Sequence, residues 1–162
     1  MEGTHAEGAN TRAYGNYGIH AEGYFTEAGG QYGSHAEGHY SKALGEYGAH
    51  AEGNYSKVTG QYGSHAEGHF TEAHGHYGAH AEGYNVIVNG SYGAHAEGMN
   101  TVAGSNIQHV EGKFNLIDNN NKYAHIVGNG EDDDHRSNAY ALDWWGNGEF
   151  QNSVKAPYVY AD

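Results

Sequence analysis

Imidazole and carboxylate recur together along this chain at a fixed interval. The tetrapeptide His-Ala-Glu-Gly begins at His5, His20, His35, His50, His65, His80 and His95, 15 residues apart each time. A degenerate copy, His109-Val110-Glu111-Gly112, follows 14 residues after the last of these. Histidine beside carboxylate is material for general acid–base catalysis and for metal ligation, so each chemistry has to be set against this spacing. His-x-Glu opens the zinc deaminase signature, but that site also needs Pro-Cys-x-x-Cys, and the chain has no cysteine. A second histidine would complete a two-histidine, one-carboxylate iron triad. An enzyme carries one such site, not eight in a ladder, so no residue is assigned as catalytic and no enzyme is expected. There is no G-x-S-x-G and no P-loop, and the glycines fall in turns.

No cofactor and no metal are expected either. The arrangement that would change this is three chains bringing one histidine column to a common axis, where three imidazoles per layer suit zinc. His50, His65 and His80 are the central layers for such a site. Layers about 4.8 Å apart could not all hold divalent cations without severe repulsion. A hydrogen-bonded His–Glu ladder satisfies the same residues without metal. The acidic run Glu131-Asp132-Asp133-Asp134-His135 offers oxygen ligands but no EF-hand spacing, and reads as a solvated loop. Two aromatic columns, one from Tyr17 to Tyr92 and one through Phe25, Tyr40, Tyr55 and Phe70, read as cross-coil ladders before they read as a sugar-stacking surface.

The interval itself dictates what positions these side chains. A composition of 27 glycines in 162 residues, with few large aliphatics, suggests disorder until the repeat is noticed. Low-complexity sequence does not hold register over seven copies. A 15-residue unit is too short for a helix pair, and three glycines per unit would each weaken a helix by about 1 kcal/mol. The unit from Ser34 to Gly48 reads as two short strands, 34–37 and 40–44, between glycine-containing turns. The expected fold is therefore all-β: a parallel β-roll or β-helix solenoid of 15-residue coils over residues 1–112, with a separate C-terminal β segment over 113–162. In that segment Tyr140–Trp145 and Glu149–Tyr160 read as strands joined by an Asn147-Gly148 turn.

Alternation then assigns faces. Ala6, Ala21, Ala36, Ala51, Ala66, Ala81 and Ala96 form one inward column, and the Ser41 column is Ser or Thr except at Val86. On the second strand the outward column drifts through Arg12, Glu27, Lys42, Lys57, Glu72, Ile87 and Val102, as a solvated surface does. On the first strand the outward residues never drift. A uniform face needs a uniform neighbour, and a second copy of the same face is the simplest one. The expected inter-chain interface is thus His5, Glu7, His20, Glu22, His35, Glu37, His50, Glu52, His65, Glu67, His80, Glu82, His95, Glu97, His109 and Glu111. Trp144 and Trp145 join it because so thin a roll cannot enclose them. If pairing dominates at that interface, the histidines titrate high and the glutamates low, and stability peaks between about pH 4.3 and 6.5.

The unit Gly-Ser-His-Ala-Glu-Gly-x-x-(Ser/Thr)-x-Ala-x-Gly resembles the repeats of phage tail fibres, spikes and neck appendages. It is also similar to the head repeats of trimeric autotransporter adhesins, which carry apolar residues where His and Glu stand here. The resemblance covers about residues 1–112. It implies a left-handed roll, a homotrimer, and a virion (tail), extracellular location. The stretch from His125 to Gly130 and from Arg136 to Gly148 looks like the segment that follows such repeats in phage structural proteins. The implied role is a structural rod presenting a trimeric tip to a host cell-surface glycan or protein receptor, with other virion tail proteins as partners. The alternative is a bacterial trimeric adhesin head binding host matrix or glycan. Charge and hydropathy agree with the exclusions this carries. Twenty acidic against seven basic residues, a net charge of −13, disfavour nucleic acid. No apolar run is long enough for a membrane-spanning helix, so no membrane insertion is expected, and the N-terminus does not read as a secretory signal.

Overall fold

The computed structural model describes residues 3–152 and contains no helix among them. Each 15-residue unit makes one coil with a five-residue strand and a two-residue strand. The five-residue strands run from His5–Ala9 in the first coil to His109–Lys113 in the eighth, and pair in parallel with like residue over like: His5 over His20, Ala6 over Ala21, Glu7 over Glu22. The two-residue strands, from Arg12–Ala13 to Val102–Ala103, stack into a second parallel sheet of seven. The protein is a parallel β-solenoid of about eight turns.

The interior between these sheets is one layer of small side chains. Ala21, Ala36, Ala51, Ala66, Ala81 and Ala96 are fully enclosed, facing Ala28, Ala43, Val58, Ala73 and Val88. Serine and threonine serve there because glycine carbonyls of the long strands and of the bends point inward. Ser41 Oγ donates to the Gly53 carbonyl at 2.9 Å, and Ser64 Oγ donates to the Gly75 carbonyl at 2.8 Å. Each bond removes a buried unsatisfied acceptor, a defect that costs about 1–3 kcal/mol. The largest aliphatic fillers stand near the ends, Ile19 near one and Ile126 near the other.

The stack does not stop at residue 112. A ninth strand, Tyr123–Asn129, adds in parallel to His109–Lys113, placing His125 over His109 and Gly128 over Gly112. The segment between them closes a longer coil around buried Gln108, Asn115 and Asp118. Gln108 Nε2 donates to Asp118 at 3.0 Å, and Asn115 Nδ2 donates to the Val102 carbonyl at 3.0 Å. The boundary expected at 112/113 therefore falls inside a continuous sheet.

Beyond this coil the direction reverses. Asn138–Asp143 pairs antiparallel with Tyr123–Asn129, and Gly148–Phe150 pairs antiparallel with Asn138–Asp143. The expected strand Tyr140–Trp145 is thus shifted, and the turn is not Asn147-Gly148. It spans 144–147, where Asp143 accepts from the backbone N–H groups of Trp145 and Asn147 at 2.9 and 2.8 Å. An aspartate holding a turn over its own backbone outcompetes the two-residue hairpin that Asn-Gly favours. Lys122 and Tyr123 both donate to Glu149, at 2.7 and 2.6 Å, and tie the last strand to the ninth coil. Of the expected strand Glu149–Tyr160, residues 153–160 lie outside the described residues.

Candidate functional site

The uniform face is built from the outward positions of the long strands. Parallel in-register pairing puts nine imidazoles in one file: His5, His20, His35, His50, His65, His80, His95, His109 and, from the ninth coil, His125. Adjacent rings lie 4.5 to 5.1 Å apart by centroid along the whole file. His125 was not legible from the repeat. Its signal is only His-x-x-Gly, 16 residues after His109, with Val127 in the glutamate position.

The glutamates form a second file beside the first. Imidazole Nε2 and carboxylate oxygen are 3.4 Å apart in each of the first three coils, 3.5 Å for His50 with Glu52, and 3.7 Å for His65 with Glu67. These are long contacts. From His50 onward every Nε2 of the file is buried without a hydrogen-bond partner. The pairing expected to hold the histidines charged is therefore weak. Burial, then the neighbouring imidazoles, hold His65 and His95 below the ordinary histidine value. For these two rings the direction is opposite to the raised value expected. Rings stacked face to face shield one another from water, and each charged ring would repel the next.

The opposite sheet makes a different use of charge. Tyr14 Oη donates to Glu27 at 2.7 Å while Lys42 lies 3.3 Å from the same carboxylate. The Tyr14 bond, then the Lys42 bond, lower the Glu27 carboxyl below the usual range, though partial burial opposes them. His74 approaches Glu72 at 2.6 Å. The drifting column thus carries local pairs, across coils at Glu27–Lys42 and Lys57–Glu72 and within one coil at Glu72–His74, and Val102 at its end is buried.

The aromatic columns also stack. Tyr17, Tyr32, Tyr47, Tyr62, Tyr77 and Tyr92 lie nearly parallel with centroids 4.8 to 5.3 Å apart, yet each ring stays exposed. Phe25, Tyr40, Tyr55 and Phe70 form the second ladder, all four with positive φ of 55° to 59°. Non-glycine residues take that conformation at some cost, which ring stacking at each step offsets. Trp144 and Trp145 sit on the C-terminal turn, 41% and 80% exposed. In the acidic loop Asp132 accepts from the backbone N–H of Asp134 and His135, and all five residues from Glu131 to His135 are exposed.

No protein-family model, curated protein or solved structure matches this chain. The geometry alone therefore carries the functional argument, and it singles out the imidazole file. His50→Ala is expected to destabilise the rod by about 1–3 kcal/mol, since it removes stacking on both His35 and His65. Lys42→Ala removes one partly exposed ion pair and should cost under about 1 kcal/mol. Chemical denaturation of both variants checks this. Equal effects would mean that the file is no more than surface.

Proposed function

We propose that this chain is the rod of a homotrimeric attachment appendage of the kind carried on phage tails. In this reading the coils wind left-handed and the His/Glu faces of three copies meet along the axis. Trp144 and Trp145 complete the contact at the C-terminal β segment. The chain performs no catalysis. Its work is mechanical and multivalent: a stiff trimer presents three copies of a weak site to a host-surface glycan or protein, and avidity exceeds the affinity of any one copy.

The observation that supports this best is the contrast between the two sheets. One keeps the same two side chains outward in eight successive coils, while the other changes sign from Glu27 to Lys42 and again from Lys57 to Glu72. Selection for solubility alone would let both drift. The interior adds weight, because a single layer of Ala, Ser, Thr and Val buries little apolar area, and association is the general remedy for a small core.

Light scattering is expected to show three times the 17.4 kDa of one chain. Electron micrographs should show rods, the nine coils alone spanning about 40 Å. A species of one chain mass would overturn the interface and the fibre reading together.

A further inference from the structure

The pairing between the two outward files changes register part-way along the rod. In the first five coils each histidine faces the glutamate of its own coil. At the far end each faces the glutamate of the coil before: His109 lies 3.8 Å from Glu97, and His125 lies 3.3 Å from Glu111. The cause is in the ninth coil, where Val127 occupies the glutamate position. His125 has no carboxylate of its own and takes that of the coil before. His109, displaced in turn, takes Glu97. Nine imidazoles thus share eight carboxylates, and the shortage has to surface where the two registers meet.

It surfaces at His80, Glu82 and His95. In the first register Glu82 belongs to His80, and in the second it belongs to His95. Among the described residues it pairs with neither within 4.0 Å, and neither imidazole has another carboxylate. The Nε2 atoms of both histidines are buried without a hydrogen-bond partner. The three side chains each offer a ligand atom within 4.8 Å of the others, and Glu82 is exposed.

We propose that this register junction is a binding site for one divalent first-row transition ion, zinc being the natural occupant. Two imidazoles and one carboxylate are a donor set that such ions take, with a fourth position left to water. Metal–ligand bonds of about 2.0–2.1 Å need ligand atoms about 3.3 Å apart. Binding therefore draws Glu82 inward and tilts the two rings, whose planes lie 7° apart, until their Nε2 lone pairs converge at the ring edges. The ion supplies the positive charge that the two orphaned nitrogens and the single carboxylate jointly lack. A net charge of −13 favours its approach. What sets the junction apart is the carboxylate, because in every other coil one lies 3.3 to 3.8 Å from the imidazole Nε2, whereas Glu82 is within 4.0 Å of neither of its neighbours. The site belongs to one chain and does not rest on the fibre reading.

Cobalt(II) serves as the spectroscopic probe, titrated into the full metal-free chain and followed by visible absorption and calorimetry. One ion per chain is expected. Glu82→Gln, which preserves shape, and His95→Ala should each weaken binding by at least about tenfold, a loss seen even for residues that only support a ligand. His35→Ala, in the paired stretch, should leave affinity unchanged. Val127→Glu restores the ninth carboxylate and should also weaken binding by relieving the shortage. Absence of saturable binding, equal weakening by His35→Ala, or undiminished binding in Val127→Glu would each overturn the proposal. A stoichiometry of one ion per three chains would overturn it in favour of an axial site.

Discussion

Gly53→Ala is expected to destabilise the rod by about 3 kcal/mol or more, a large effect for one added methyl group. Gly53 lies one residue before the end of the long strand of the fourth coil with φ +117°, a region that side chains rarely enter. A Cβ there would overlap the carbonyl oxygen of Gly68 in the next coil. That carbonyl cannot retreat, because the two strands are locked in register from His50 over His65 to Asn54 over His69. Backbone strain and overpacking each cost about 1–3 kcal/mol, and here they act together. A solenoid is held only by contacts between neighbouring coils, so the damage falls on the junction that joins the two halves of the stack. Gly33→Ala is the control. Its φ of +64° is also left-handed, but nothing lies within 4 Å of the added carbon, and the cost should be about 1 kcal/mol. Urea unfolding of both variants checks this. Equal losses would mean that coils do not stack glycine over glycine.

Acidification from pH 7.5 to 5 is expected to lower the melting temperature by several degrees or more. His65 and His95 are held below their ordinary value, first by burial and then by the imidazoles above and below. The unfolded chain takes up protons near pH 6.5, whereas these folded rings take them up only at lower pH. Between the two values the unfolded state carries more protons, so stability falls as pH falls. The contribution is complete above about pH 6.5 and lost as pH passes down through the folded value. Charging neighbouring rings adds repulsion of about 1 kcal/mol per pair in water-like surroundings, and more in less polar ones. The depressed carboxyl of Glu27, held by Tyr14 and Lys42, acts in the same direction at still lower pH. Each kcal/mol moves the melting temperature by about 2–4 °C in a chain of this size. Melts followed by circular dichroism across this range check the sign. A rising melting temperature on acidification would mean that the rings charge readily in the folded rod and pair with their glutamates. In a His65→Asn, His95→Asn double variant the upper part of the profile should flatten.

The coil length, the presence of two strands in each coil and the inward alanine column from Ala21 to Ala96 were legible in the sequence. The strand ends were not, since 34–37 and 40–44 were expected where His35–His39 and Lys42–Ala43 form, and Ala6 in the first coil is exposed. What was legible follows from a strict interval combined with two-residue alternation, and those are properties of the unit itself. Ala36 has to face inward once its neighbours His35 and Glu37 face out, whatever lies above or below. The outward identity of the His and Glu files was legible for the same reason. The ninth coil was not, because Ile126 and Val127 replace the motif and only pairing with His109–Lys113 reveals His125 as a member of the file. The Asp143 turn was hidden because Asn-Gly is a strong local signal and the competing bonds run from a side chain to backbone several residues on. The protonation of the file could not be read from pairing chemistry alone, since it depends on how closely rings from different coils cover one another. The register junction was the least accessible. Seven identical copies of His-Ala-Glu-Gly contain nothing that distinguishes His80 from His35. What distinguishes them is the distance of each coil from an end where one carboxylate is missing. The sequence by itself determined which side chains line each face, and only the assembled stack decided which carboxylate each imidazole meets, because that choice is passed along from coil to coil.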